Sequence, residues 1–286
     1  MVGDIRLRPG KPADVEPCAK ICFEAFESIA KEHNFPTEMP SREIAKKIFA
    51  HILSQPGYYS VIAEKDGKIV GSNFLDGRDT VAGIGPLTID PSKQNSGVGR
   101  LLMQDAIDHA LERDFNGIRL VTATFHNRSF GLYAKVGFDV REQLAAMQGP
   151  PINMEISGCH VRRAVFADLE DCNKVCLRVH GLDRGSELRD SISRGKAVLV
   201  GRDGRISGYS TGVNSVGHSV AETNQDLKAL ISASPSFGLG FLLPVVNSEV
   251  LHWCLDNGLR IVRPMTLMSI GLYNEPKGPF LPSVLY

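Results

Sequence analysis

The 286-residue chain has little of what would announce an extreme chemistry. It has one tryptophan and six cysteines, and its 32 basic side chains are cancelled by 32 acidic ones. With no basic excess and no basic stripe, nucleic acid is excluded as the expected partner. Cys18, Cys22, Cys159, Cys172, Cys176 and Cys254 are too sparse for a disulfide framework and fit a reduced, cytoplasmic protein. No apolar run approaches the roughly 20 residues of a membrane-spanning helix, so no membrane is expected as partner. The segment from Met1 to Arg8 lacks the apolar stretch of a secretory signal. No set of His, Cys, Asp and Glu has metal-ligand spacing, so no metal is expected. Hydrophobic residues, in contrast, are plentiful at 43%, enough for a core in each half of the chain.

An internal repeat organises the sequence. Ala13-Asp-Val-Glu-Pro-Cys-Ala-Lys-Ile-Cys22 matches Ala167-Asp-Leu-Glu-Asp-Cys-Asn-Lys-Val-Cys176. Asp66-Gly-Lys-Ile-Val-Gly71 matches Asp203-Gly-Arg-Ile-Ser-Gly208, and Gly137-Phe138 matches Gly258-Leu259, in the same order. The ordered set implies two copies of one module, at 1–145 and 159–286, with 146–158 and its Gly149-Pro150-Pro151 as linker. The cysteine pairs fall at i, i+4 on expected helices, where small buried hydrophobes are the default.

In the first copy, Ile5–Arg8 is expected as a strand. Helices are expected from Pro12 through Phe26 and from Ser41, a candidate N-cap, to about Leu53. His33 to Ser41 carries two prolines and separates them. Asp66-Gly67 joins the strands Tyr58–Glu64 and Lys68–Asn73 as a hairpin. A strand from Val81 to Ile89 precedes a helix from about Gly97 to Asp114, with Val98, Leu101, Leu102, Ala106, Ala110 and Leu111 in helical period. A strand over Ile118–Ala123 and a helix over Ser129–Val136 follow, and Gly137-Phe138 opens a last strand.

The stretch Ile89-Asp-Pro-Ser-Lys-Gln-Asn-Ser-Gly-Val-Gly-Arg-Leu-Leu-Met103 carries an apolar strand through a polar loop into that amphipathic helix. Gly97 and Gly99 let the backbone approach an anion, and the helix N-terminus adds partial positive charge. Arg100 adds a full one. On its glycines alone the turn suits an anion site and an unliganded strand-to-helix turn equally. A Rossmann fingerprint needs a third glycine, and a P-loop needs Gly-Lys-Ser/Thr; neither is present.

Gln94-Asn-Ser-Gly-Val-Gly99 resembles the Gln/Arg-x-x-Gly-x-Gly/Ala motif of GNAT acyltransferases. Asn127-Arg-Ser-Phe-Gly-Leu-Tyr-Ala-Lys-Val-Gly-Phe138 resembles that family's second signature, one helix and one strand downstream. The resemblance covers about residues 4 to 142. It implies an α/β (α+β) fold, here two GNAT-like modules, each a mixed twisted sheet flanked by helices. It also implies acetyl-CoA as the acyl donor and a primary amine, on a small molecule or a protein, as acceptor. By the resemblance, Gln94, Asn95, Ser96, Gly97, Val98, Gly99 and Arg100 hold the pyrophosphate. Leu87, Thr88 and Ile89 pair with the pantetheine and offer an N–H to the acyl oxygen. Tyr133 protonates the departing thiolate; as a residue on an amphipathic helix it also fits a plain core aromatic. Asn127 lies six residues before Tyr133, where the family pattern has seven, so His126 takes the expected place. His126 or Asn127 then meets the pantetheine, although His126 also fits a plain surface histidine, and Ser129 matches a small-residue position that lies against CoA. Asp76, Asp79 and Asp90 sit near the relevant strands but read as turn or surface residues, and no general base is legible.

The second copy keeps the pattern without the chemistry. From Asp14 to Gly67 is 53 positions and from Asp168 to Gly204 is 36. The shortfall falls where the first copy has His33-Asn-Phe-Pro-Thr-Glu-Met-Pro40, which makes His33 and Glu38 candidate acceptor-binding residues. No Gln-x-x-Gly-x-Gly follows; His218 to Ser234 reads as helical, and Cys254 stands where Tyr133 does. The irregular tail from Leu272 to Pro282 is expected to lie along the surface. A tandem of this kind suits a monomer or a homodimer. The first reading is therefore an acetyltransferase working in the first module, with a CoA-binding sensor as the alternative.

Overall fold

The computed structural model describes residues 5–284; residues 1–4 and 285–286, the outer ends of the two expected modules, lie outside the described residues. The first repeat runs β1 (Arg6–Pro9), α1 (Val15–Glu32), α2 (Arg42–Ser54), β2 (Tyr58–Lys65), β3 (Lys68–Asp76), β4 (Ala82–Ile84), β5 (Thr88–Ile89), α3 (Val98–Glu112), β6 (Gly117–Ala123), α4 (Asn127–Lys135) and β7 (Asp139–Gln148). The second runs β8 (His160–Arg163), α5 (Leu169–His180), α6 (Gly185–Ser193), β9 (Val198–Arg202), β10 (Arg205–Ser210), β11 (Ser219–Ala221), α7 (Asn224–Ser232), β12 (Phe241–Pro244), α8 (Ser248–Asp256) and β13 (Arg260–Gly271), followed by β14 (Phe280–Leu281). The two orders correspond up to β7 and β13, except that β11 alone stands where the first repeat has β4 and β5.

Matching local devices show why. Arg8 clamps Asp14 through Nη1 at 2.7 Å, and Asp14 accepts the Lys11 N–H at 2.8 Å. Arg162 and Asp168 repeat this at 2.7 Å, with the Val165 N–H at 2.9 Å. Burial raises the Asp14 pKa, but the Arg8 guanidinium and the Lys11 amide more than offset it and hold it low. Each clamp fixes the turn from first strand to first helix. Asp66 and Gly67 both have positive φ (51° and 71°), as do Asp203 and Gly204 (52° and 76°), so the two hairpins turn alike. Ser41 caps α2 as expected, accepting the Ile44 N–H at 3.2 Å. Cys18, Cys22, Cys172, Cys176 and Cys254 are fully buried.

The modules are joined through their sheets. Nine strands form one sheet with the path β1-β2-β3-β4-β6-β13-β7-β12, and β5 attaches to β3. The pairings β13–β6, β13–β7 and β12–β7 are all antiparallel. So β6 and β7, linked through α4, run parallel with β13 between them. Likewise β12 and β13, linked through α8, run parallel with β7 between them. Each crossover leaves a gap one strand wide, and only the other repeat's last strand fills it. Residues 146–148 complete β7, and 149–159 hold no helix or strand.

Three expectations change. The strand expected over Val81–Ile89 is broken at Gly85-Pro86 into β4, which pairs with β3 and β6, and β5, which pairs with β3 alone; proline has no N–H for a ladder. His218 to Glu222 is not helical, because Ser219–Ala221 forms β11 and the helix begins at Asn224. The tail lies along the surface, exposed or half-buried, from Leu272 to Pro279, but its end turns inward. Phe280 and Leu281 pair with Val220 and Ser219 as β14, and they are 5% and 1% exposed.

Candidate acyl-transfer site

A cleft opens where β4 and β6 part. They pair only at Ala82↔Ile118 and Gly83↔Arg119. Beyond that the chain turns at Gly85-Pro86 and joins β3 instead, with Thr88 opposite Ser72 and Ile89 opposite Gly71. A Cβ on Gly71 would lie 2.9 Å from the Thr88 carbonyl oxygen, so this approach needs glycine. Thr88 is anchored by its hydroxyl, 3.2 Å from that of Ser72. Leu87, half-buried, lies between β4 and β5 and outside both ladders.

The polar loop then delivers α3. Asp90 accepts the Ser92 N–H at 2.8 Å, and the Ser96 hydroxyl donates to the Lys93 carbonyl at 2.5 Å. Asn95 and Gly97 adopt positive φ, 61° and 87°. Gly97 is the N-cap and no side chain caps the helix. The first helical bond is Leu101 N–H to Gly97 O at 3.2 Å, which leaves the N–H groups of Val98, Gly99 and Arg100 without helical partners. Asn95, Ser96, Gly97 and Arg100 are exposed, Gln94 and Gly99 half-buried, and Val98 is buried under the turn. Open, uncapped donors at a positive helix end suit a pyrophosphate, so these residues fit the CoA moiety.

Helix α4 lines the opposite side. Tyr133 is 8% exposed and packs edge-on to Phe138 at 6.2 Å between ring centroids. Burial pushes its hydroxyl up to about 12, Ser129 one turn earlier pulls it down, and the charge of Glu38 pushes it up. It is therefore a protonated phenol at neutral pH, the form an acid needs. His126 is the N-cap of α4, half-buried, with Nε2 3.5 Å from the Ser129 hydroxyl. Burial, then Arg128 and His33, push it down to about 4, so its ring is neutral. Asn127 is exposed.

The α1–α2 loop folds over this end. Phe35 stacks on Phe125 at 4.2 Å and His33 tilts against the same ring at 5.5 Å. Glu38 lies beneath, its side chain 20% exposed, with Oε1 3.8 Å from Nε of Arg263 on β13. Burial raises the Glu38 pKa and Arg263 opposes that rise. His33, Glu38, Tyr133, His126 and Ser129 thus meet at one end of the cleft, and 87–100 line its other flank. Sequence reasoning missed Arg263, Phe35 and Phe125. Arg263 belongs to the other repeat and is brought here only by the strand exchange. Of the three aspartates read as turn or surface residues, Asp90 holds a turn, accepting the Ser92 N–H; Asp76 instead ends strand β3 and pairs with Arg78 at 2.6 Å, and Asp79 accepts the Ser186 and Glu187 N–H groups at the start of α6 at 3.0 and 3.3 Å.

A separate cavity of about 360 Å³ lies between α2 and α6 and touches none of 87–100, Tyr133 or Glu38. Its Arg78 is engaged by Asp76, Asp190 and the Tyr58 hydroxyl, and its Arg184 by Glu187. Its lining comes from both repeats, so it lies on the seam between them and apart from the cleft. Among the described residues no group of His, Cys, Asp and Glu could hold a metal ion, and no helix is long and apolar enough to cross a membrane.

Comparison with known proteins agrees with this geometry. Residues 23–138 match the Acetyltransferase (GNAT) family. A curated relative, UPF0157 protein YqkA of Bacillus subtilis, is 33% identical over 85 residues, 30% of this chain; the match spans 24% of that relative's length. The crystal structure of a putative acetyltransferase from Pyrococcus horikoshii superposes with a TM-score of 0.74 at 20% identity, covering 97% of this chain and 94% of that one. A tandem GNAT protein from the clavulanic acid biosynthesis pathway superposes with a TM-score of 0.58 at 12% identity, covering 96% and 99%. The chain thus has the tandem GNAT fold along its length, and its residues 23–138 match the model of the acetyltransferase (GNAT) family.

Proposed function

We propose that the chain transfers an acetyl group from acetyl-CoA to a primary amine, in the cleft of the first repeat. The observation that carries this is the uncapped N-terminus of α3 opening onto the same β4–β6 cleft that Tyr133 lines. The α3 turn, Gln94 to Arg100, holds the pyrophosphate. Leu87, Thr88 and Ile89 supply a strand edge for the pantetheine, with one backbone N–H for the oxygen that gains charge in the transition state. His126 and Ser129, neutral and half-buried, flank the pantetheine arm.

Glu38 is the general base of this reading. A carboxylate whose pKa is raised by burial is a stronger proton acceptor than an exposed one. It takes a proton from the substrate ammonium and passes it to water. The free amine attacks the thioester carbon, the carbon–sulfur bond breaks, and Tyr133 protonates the departing sulfur. The second nitrogen proton returns to Tyr133 by way of solvent, so one proton is released per turnover. Holding both reactants in one cleft supplies much of the rate. The second repeat carries no transfer chemistry; it completes the sheet and lends Arg263. A reduced, cytoplasmic setting suits its free cysteines.

The test is a thiol-release assay of the full chain with acetyl-CoA and a panel of amines. Turnover that Tyr133→Phe lowers roughly 10²–10⁴-fold, with acetyl-CoA affinity retained, supports the reading. Tight acetyl-CoA binding with no amine acetylated overturns it in favour of a CoA sensor.

A further inference from the structure

We propose that the acceptor is a free amino acid: its ammonium is received by Glu38 and its neighbouring carboxylate by Arg263. The inference rests on the transfer reading above and narrows its acceptor. Arg263 enters the first repeat's cleft from the second repeat, because β13 passes between β6 and β7. Its side chain stands at the start of β13, next to an irregularity in register between Ile261 and Arg263.

Arg263 is 4% exposed. Charged residues are almost never buried to that degree unless paired, and here the pairing is incomplete. A guanidinium carries five N–H donors. Nη2 reaches the Leu239 carbonyl at 3.4 Å, and Nε has no hydrogen-bond partner among the described residues. The Glu38 carboxylate is 3.8 Å from Nε, close enough for attraction and too far for a hydrogen bond. A buried cation with donors to spare is costly, and a carboxylate, which takes a guanidinium fork through two oxygens, is the group that relieves it.

Glu38 offers the opposite charge beside it. Its own carboxylate is not bonded to Arg263, so it keeps capacity for an ammonium, and its charge reaches the Tyr133 hydroxyl. A negative and a positive group this close match a zwitterion whose amine and carboxylate are one or two carbons apart. Polyamines and aminoglycosides would bring a second cation to Arg263. A protein N-terminus has an amide in place of the carboxylate and would leave Arg263 unsatisfied.

The experiment compares each of the twenty amino acids with its carboxamide and its decarboxylated amine, using the full chain and acetyl-CoA. The expected result is acetylation of one or more amino acids with kcat/KM at least roughly 100-fold above the matched carboxamide and amine, since a site built for a group rejects its absence. Arg263→Met should collapse that ratio to below about 5, mainly through KM, and Arg263→Lys should recover part of it. Calorimetric binding of acetyl-CoA to both variants distinguishes a lost contact from a lost fold. Carboxamides or simple amines acetylated as well as amino acids would overturn the inference and leave the transfer reading standing. Acetyl-CoA binding with no acetylation of any member of the panel would overturn the transfer reading itself, and the inference with it.

Discussion

The two repeats place the same elements around two clefts, and only one cleft is open. In the first, α3 begins at an uncapped glycine, and the edge beyond the β4–β6 contact is free. In the second, the equivalent α7 is capped by Thr223, whose hydroxyl accepts the Asp226 N–H at 3.3 Å and donates to the Asp226 carboxylate at 2.5 Å. Asp226 is fully buried, held also by Ser207 at 2.8 Å and Arg202 at 3.3 Å. A carboxylate thus already occupies the helix end where the first repeat would receive a phosphate. The edge of β11 is taken by β14, with Leu281 in the second repeat's core. Cys254, in the place of Tyr133, is fully buried and pushed up to about 12 by burial, an inert thiol. The duplicated fold therefore keeps its frame while three separate closures remove its second site.

Ways to break this comparison run from large effects to small. Tyr133→Phe should lower kcat by roughly 10²–10⁴, with calorimetric acetyl-CoA affinity unchanged. Glu38→Gln should cost roughly 10²-fold in kcat/KM and flatten its acid limb, because the wild-type base is lost as pH falls through the raised Glu38 pKa. In the second repeat the same class of change should touch stability alone. Leu281→Ala should cost about 2–5 kcal/mol in denaturant unfolding, as for a buried core leucine, with kcat retained.

The second repeat should also be the acid-sensitive half. His180 and His218 face each other, Nε2 to Nε2 at 3.2 Å, both 2% exposed or less. Burial, then Arg184 and Arg119, push His180 down to about 3, and burial first pushes His218 down as well. The unfolded chain takes up these protons below about 6.5. Stability is therefore intact above that value and lost as pH falls from there toward 3, with the thermal midpoint as readout. His218→Asn should reduce that slope. The smallest effect is Thr223→Ala, a lost cap of about 1 kcal/mol with no change in acetyl-CoA affinity.

Much of the frame was legible because it is local. The Asp-Gly hairpins, the Ser41 cap and the Gly97–Gly99 turn each depend on residues within a few positions. The Arg8–Asp14 and Arg162–Asp168 clamps also span only six positions. What stayed hidden is long-range. Nothing in Arg260–Gly271 distinguishes a strand that pairs within its own repeat from one that crosses to the other; the one-strand gaps decide that. The stretch at 218–222 looked helical because a three-residue strand is too short to impose an alternating pattern. The base role proposed for Glu38 was not legible for the same reason as Arg263: Glu38 acquires its burial from a loop docking on Phe125 and from the other repeat's strand.

The most direct test of one open cleft and one closed is calorimetric titration of acetyl-CoA into the full chain and into a Gly99→Glu variant. An acidic residue in the first turn suits a helix N-terminus, so the variant should fold, while its charge opposes a pyrophosphate. The account predicts one site per chain in the wild type and none in the variant. Two sites per chain, or binding that survives Gly99→Glu, would contradict it.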